Sequence, residues 1–453
     1  MPGIILSVDI GTSSLKAALI DLDGRLKAFS RMAYSAGSGV VGAGDWEYAF
    51  ARTVGNLHDQ APDLGIDGIC ISGNGPTLIP ISYGGEALPP LYWNGGKTLP
   101  STEGECPSFF LPHAAWFKKS SPEGYEKTML FMSSHEWLAS RLGAEAVTVL
   151  PSELYEPYYW DDGQCRLYSL DRDKFPPFIK MGSVMGKVSL DAARLFSPFP
   201  GLKSGTPIIA GGPDFITALI GTGAAWPGDV CDRAGTSEGI NVCVSGTPPE
   251  KAVKGKGFRV LPHAMEGLWN VGAVIPSSGK LFEKYRIETG QENRSYGELL
   301  GELIFQGSMP GIPPGEPSVG PHDKPLDERI VMGRDVLCAI GFSVRSALES
   351  LGLSGFAVRE MRVSGGQGKN PLWNQLKADI AGVSLMIPEI PDGELAGNAV
   401  LSAVALGESG SRGNKGLAEM MSRMIRIREV YEPRPETALL WEEKFRRYRG
   451  QSS

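Results

Sequence analysis

Asp214 is the residue of this 453-residue chain best placed to move a proton. It follows a short apolar run, Pro207 to Ala210, and two glycines, Gly211 and Gly212, and it opens a small-residue stretch that reads as a helix. A carboxylate there can accept the proton of a hydroxyl whose oxygen attacks a phosphate in line, as phosphoryl transfer requires. An ordinary helix N-cap is the other role such an Asp can fill. Three further segments could hold a nucleotide. In Asp9-Ile10-Gly11-Thr12-Ser13, a tight turn of small residues exposes N–H groups and two hydroxyls to a phosphate. Asp9 beside it can hold a magnesium ion through water, and Lys16 adds a positive charge. A plain β-hairpin accounts for the same residue types. Gly235-Thr236-Ser237 repeats the pattern. Ser364-Gly365-Gly366-Gln367-Gly368-Lys369-Asn370 joins a strand to a helix N-terminus, where glycines let the backbone approach a flat ligand such as adenine or ribose.

These residues need elements to position them. Ile4 to Val8, Leu15 to Ile20 and the residues after the Asp23-Gly24 turn predict a three-stranded antiparallel opening. Helices are predicted over 46–57, 114–119 and 135–142, and strands over 66–72 and 78–82; residues 147–202 show no clear pattern. The stretch from Asp232 (DRAGTSEGINVCV) echoes the one from Asp9 (DIGTSSLKAALI). An internal repeat at a spacing of roughly 220 residues predicts two similar α/β domains, 1–227 and 228–453. In the second, Val336, Ile340, Val344, Ala347, Leu348 and Leu351 mark one helix face, 361–364 a strand, and Asn370-Pro371 a capped helix start. Helices are also predicted over 395–406 and 436–449, and a long Pro- and Gly-rich loop over 310–325.

The composition is that of a globular chain, with 42% hydrophobic and 21% charged residues and a net charge of -7. An acidic balance argues against nucleic-acid binding. The six cysteines form no C-x-x-C pair and the five histidines no metal spacing, which predicts buried thiols in a reducing, cytoplasmic setting. No apolar window reaches a membrane span, and the first residues do not read as a signal peptide. A homodimer is the default expectation for assembly. Two further glycine patterns carry no chemistry. Gly37-Ser38-Gly39-Val40-Val41-Gly42 lacks a βαβ context, and Gly182 to Val188 lacks the final Ser/Thr of a phosphate loop.

Taken together, DIGTSSLKAALID, GGPDFITALIGTGA, AGTSEG, SGGQGKNPLWNQLKADIAG and GNAVLSAVALG resemble, in order and spacing, the FGGY carbohydrate kinases of the actin-like ATPase superfamily. The resemblance implies two ribonuclease-H-like domains around a cleft, with sugar and catalytic Asp in the first and nucleotide in the second. It implies ATP and Mg2+ as cofactors, Asp214 as base, and Asp9 and Asp214 near the metal. It places Gly11, Thr12, Ser13, Lys16, Gly235 and Thr236 at the phosphates, Gly365, Gly366, Gln367 and Asn370 at the nucleoside, and Asn74, Trp93, Asn94 and Asp214 at the sugar. The acceptor would be a ketose or related polyol; a catalytically weak ATP- and sugar-binding sensor is the alternative. The departures lie on the sugar side. Pentulose kinases of the family carry His and Asp side chains where this chain has Pro76 and Gly95. Two lost hydrogen bonds predict weak use of D-xylulose.

Overall fold

The computed structural model describes residues 3–34, 41–92, 95, 106–196, 202–235, 238–276, 278–305 and 328–451. The Gly37–Val40 part of the first glycine pattern and the 310–325 segment lie outside the described residues. The chain forms two compact units. One comprises Met1–Gly223, Pro262–Glu266 and Gly393–Ile425; the other comprises Ala224–Leu261, Gly267–Asp392 and Arg426–Ser453. Both are α/β.

The sheet of the first unit contains β1 (Ile4–Ile10), β2 (Ser14–Asp21), β3 (Leu26–Ala33), β4 (Gly68–Gly73), β5 (Val184–Lys187) and β6 (Pro207–Pro213), in the order β3-β2-β1-β4-β6-β5. As expected, β1 to β3 are antiparallel. β4 and β6 add parallel to β1, and β5 closes the edge antiparallel. Every residue of β1 and β4 is buried, which is why both read as unbroken runs of small and apolar residues. Helix α1 (Ala43–Gln60) packs on β2 and β3. Helix α2 (Ser134–Leu142) packs on β4, and α3 (Asp214–Thr222) follows β6 directly. The residues that sequence reading left unassigned supply an aromatic core, in which buried Trp160 packs on Phe110, Tyr159, Phe175 and Phe178.

The second unit repeats the plan. Its strands are β7 (Asp229–Ala234), β8 (Glu238–Ser245), β9 (Arg259–Pro262), β10 (Leu268–Ile275), β11 (Glu360–Ser364), β12 (Leu385–Pro388) and β13 (Ile427–Tyr431), in the order β9-β10-β8-β7-β11-β12-β13. Again three strands (β7, β8 and β10) are antiparallel, two (β11 and β12) add parallel and β13 closes antiparallel, with β9 as an additional strand at the far edge. The internal repeat is therefore real at the level of topology. Helix α4 (Glu328–Leu353) buries Ile340, Val344, Ala347, Leu348 and Leu351, and α5 (Pro371–Ala381) packs beside it. Contrary to the composition scan, α4 is long and apolar enough to cross a membrane. Its Val344, Ala347, Leu348 and Leu351 belong instead to a core shared with Val230, Val242, Met361 and Leu385.

Two further expectations are corrected. Helix α6 (Gly393–Ala405), placed by sequence in the second domain, packs on β1 and β4 of the first unit. Backbone approach explains the fit: a Cβ at Gly221 of α3 would lie 1.8 Å from the Gly393 carbonyl oxygen, and one at Gly397 would lie 2.0 Å from that of Thr217. Next, the strand expected over Pro207 to Ala210 runs on to Pro213, so Gly211 and Gly212 lie within β6, which carries a register shift between Ala210 and Gly212. A Cβ at Gly211 would lie 2.0 Å from the Ile71 carbonyl oxygen, so glycine is needed there by the neighbouring strand.

Candidate active site

In the first unit the C-terminal ends of β1, β4 and β6 bring the predicted chemistry together. Asp9 is the penultimate residue of β1 and is buried. Gly11, Thr12 and Ser13 form the turn to β2, closed by the Gly11 N–H donating to the Ser14 carbonyl at 3.0 Å, with Thr12 and Ser13 exposed. The hairpin reading holds, and its turn leaves Thr12 and Ser13 open to solvent. Lys16 lies across the ladder from Asp9, its Nζ 3.9 Å from Asp9 Oδ2 and 4.0 Å from Glu394 Oε2. Asp214 is the first residue of α3, and Pro213 takes the N-cap position. The Asp214 charge is close enough to raise the Asp9 carboxyl.

Three residues that sequence reading did not single out complete the surroundings of Asp9. Asn398 of α6 donates from Nδ2 to the Val8 carbonyl at 2.9 Å and to Ser72 Oγ at 3.0 Å. Ser72 in turn donates to Asp9 Oδ1 at 3.0 Å. Glu394, in the first turn of α6, is buried with Oε2 lacking a hydrogen-bond partner. For Glu394 and Asn398 the only sequence signal was polarity inside a small-residue helix, and nothing local ties that helix to β1. Burial pushes the Asp9 carboxyl up to about 8, and the Glu394 charge adds to this; Lys16 pulls against it, Asp214 raises it further and the Ser72 bond lowers it. Carboxylates crowded in this way suit a cation. Among the described residues no three His, Cys, Asp or Glu side chains converge as a metal cage. The donor set fits an ion such as Mg2+, which takes one or two carboxylates and completes its shell with water and phosphate oxygens.

Asn74 follows β4, its N–H donating to the Ile10 carbonyl at 2.8 Å. Its Oδ1 accepts from Thr77 Oγ1 at 3.2 Å and Ser134 Oγ at 3.4 Å, while Nδ2 is buried with no partner. That leaves a donor for an acceptor oxygen. Trp93 and Asn94 lie outside the described residues.

The second unit holds the other predicted loops. Gly235 is exposed at the end of β7; Thr236 lies outside the described residues. The strand register shifts the repeat by one residue: Asp9 pairs with Ser72, whereas Ser364 pairs with Arg233, not Asp232. Side chains alternate along a strand, so Asp232 points to the opposite face from the Asp9 position. There it is buried with Glu238 against the Lys377 ammonium. Burial and then the Glu238 charge push Asp232 well up; Glu238, against the same burial, is held below its ordinary value chiefly by Lys377.

Gly365 has φ 103°, and a Cβ there would lie 2.6 Å from the Ala234 carbonyl oxygen, whereas Gly366 is exposed with no atom within 4 Å of its Cβ position. Two side chains expected at the nucleoside have partners within the protein. Asn370 caps α5, Oδ1 accepting from the Trp373 N–H at 3.0 Å. Gln367 donates to Ser278 Oγ at 2.9 Å and the Gly235 carbonyl at 3.4 Å, and accepts from Trp373 Nε1 at 3.2 Å.

Residues 320–406 match the model of the C-terminal domain of the FGGY family of carbohydrate kinases. A xylulose kinase of Bacillus subtilis (strain 168) is 24% identical over 499 residues, covering 98% of this chain and 96% of that protein. An autoinducer-2 kinase of Escherichia coli (strain K12) is 24% identical over 369 residues, covering 74% of this chain and 67% of that protein. The crystal structure of a gluconate kinase from Lactobacillus acidophilus shares the fold with a TM-score of 0.76 at 18% identity, over 99% of this chain and 97% of that one. Residues 320–406 thus match an FGGY C-terminal domain, and over nearly its whole length the chain is similar to FGGY-type carbohydrate kinases, which are phosphotransferases.

Proposed function

We propose that this protein transfers the γ-phosphate of ATP to a hydroxyl of a small carbohydrate, a ketose or related polyol, in the cytoplasm. The observation that carries the reading is the grouping of buried Asp9, half-buried Asp214 and Lys16 beside the exposed Thr12 and Ser13 turn. Asp214 accepts the proton of the acceptor hydroxyl as its oxygen attacks, and the free Asn74 amide N–H donates to another oxygen of the same molecule. Lys16 and the backbone N–H groups of Thr12 and Ser13, next to Gly11, stabilise the phosphate charge that develops. Magnesium, held at Asp9 and Asp214, would neutralise phosphate oxygens. Gly235, Thr236, Gly365 and Gly366 are assigned to the nucleotide, and Gln367 and Asn370 to supporting it. Six free, buried thiols suit a reducing compartment.

A coupled assay of ADP release over ketoses, polyols and sugar acids tests the reading. We expect turnover with at least one of them and weak use of D-xylulose. With Pro76 and Gly95 offering no side-chain polar group, D-xylulose loses about one order of magnitude or more in kcat/KM relative to the best acceptor. D-xylulose as the best acceptor would overturn the specificity statement. Tight binding of ADP and a sugar with no turnover of any acceptor would overturn the enzyme in favour of a sensor.

The open space at Gly366 gives a clean probe of the nucleotide loop. A Cβ at position 366 has no atom from beyond its chain neighbours within 4 Å, so for Gly366→Val we expect Tm within about 2 °C of the parent. The KM for ATP rises at least about tenfold, a cost of about 1.4 kcal/mol, with the KM for acceptor unchanged. Unchanged calorimetric ADP affinity would remove this loop from the nucleotide site.

A further inference from the structure

Among the described residues Lys377, on α5, is the most deeply buried cation of the second unit, with 1% exposure. Its ammonium bonds the carboxylates of Asp232 and Glu238, both fully enclosed. Removing three charged groups from water costs several kcal/mol per ion, and their attraction offsets this only when the geometry is well fixed. Such a group is a weak source of stability compared with apolar side chains of the same volume. What it does supply is direction, and here the bonds lead to one place. The second oxygen of Glu238 accepts from Ser278 Oγ at 2.6 Å. Ser278 Oγ accepts from Gln367 Nε2 at 2.9 Å. The same nitrogen reaches the Gly235 carbonyl at 3.4 Å, and Gln367 Oε1 is held by Trp373 Nε1 at 3.2 Å. The chain of contacts therefore ends between the Gly235 loop and the Gly365-Gly366 loop.

We infer that Lys377, Glu238, Ser278 and Gln367 form a positioning chain that fixes these two glycine loops against each other and thereby sets nucleotide affinity. The inference rests on the assignment of the two loops to ATP. The same Gln367 nitrogen bonds Ser278 Oγ and the Gly235 carbonyl, and Ser278 is oriented by a carboxylate that Lys377 holds in place. Loops that must be ordered on binding weaken affinity by the cost of that ordering. Loss of the link therefore shows in nucleotide affinity ahead of the chemical step.

The test is calorimetric titration of ADP into the parent, Ser278→Ala and Ser278→Thr, with melting curves and steady-state kinetics on each. Ser278→Ala removes one hydroxyl and leaves the ion group intact, so the fold survives. We expect its Kd for ADP and KM for ATP to rise about five- to tenfold, with kcat and acceptor KM within about twofold of the parent, and Ser278→Thr to restore affinity by keeping the hydroxyl. Lys377→Met should weaken ADP at least as much and lower Tm as well, because it leaves carboxylates buried without their counter-charge. If Ser278→Ala binds ADP like the parent and only Lys377→Met melts early, the group is structural and the positioning chain is refuted. A parent that binds no ADP would refute the loop assignment itself, an outcome separate from the first.

Discussion

Asp214→Asn should lower kcat by about 100-fold or more while leaving ADP affinity unchanged. The substitution keeps the shape of the first residue of α3 but replaces the basic carboxylate with an amide too weakly basic to take the acceptor proton, and general-base catalysis contributes about 100- to 10,000-fold. Asp214 also raises the Asp9 carboxyl, so the amide relieves crowding around Asp9 and should not weaken the nucleotide. A drop in kcat with a steady Kd thus separates the base from a mere metal support. Asp9→Asn provides the contrast: it should raise the magnesium concentration needed for half-maximal rate. ADP-release kinetics across a magnesium series measures both. Turnover by Asp214→Asn within about threefold of the parent would remove Asp214 as the base.

The second large effect concerns a residue without chemistry. Gly221→Ala should destabilise the first unit by roughly 3 kcal/mol or more, at the upper end of what overpacking costs. The added methyl would sit 1.8 Å from the Gly393 carbonyl oxygen and 2.5 Å from the Gly397 nitrogen, both main-chain atoms of α6 that no side-chain rotation can relieve. The two helices must separate. Since α3 begins with Asp214 and α6 carries Glu394 and Asn398, the damage reaches Asp9 through Lys16 and Ser72. We expect Tm to fall by roughly 6 to 12 °C for a unit of this size, with the remaining folded fraction showing a reduced kcat. A melting temperature within about 2 °C of the parent would show that the contact between the helices is not as tight as described. Gly366→Val, with open space around it, is the control that a larger side chain at a glycine is not harmful in itself.

The sequence by itself determined what local spacing can express. The three antiparallel strands that open the chain, the helix that begins at Asp214, the capped start of α5 and the repeated Gly-Thr-Ser turns were all legible, because strand period, helix caps and tight turns are written in neighbouring residues. The pairing of Asp9 with Lys16 follows from the same hairpin. Tertiary structure decided the rest. Asn398 and Glu394 lie nearly 400 residues from Asp9, and only the packing of α6 on β1 turns them into its neighbours. The strand-to-helix loop suggests Gln367 and Asn370 as nucleoside contacts, and only the tertiary structure shows that Asn370 Oδ1 also caps α5 and that Gln367 also bonds Ser278. The one-residue offset between the two Gly-Thr-Ser segments is in the sequence, but only the strand register and its alternating side chains show that it turns Asp232 toward Lys377. Which side chains face the chemistry was therefore fixed by pairings between distant segments, whereas the kinds of chemistry available were fixed by the residues themselves.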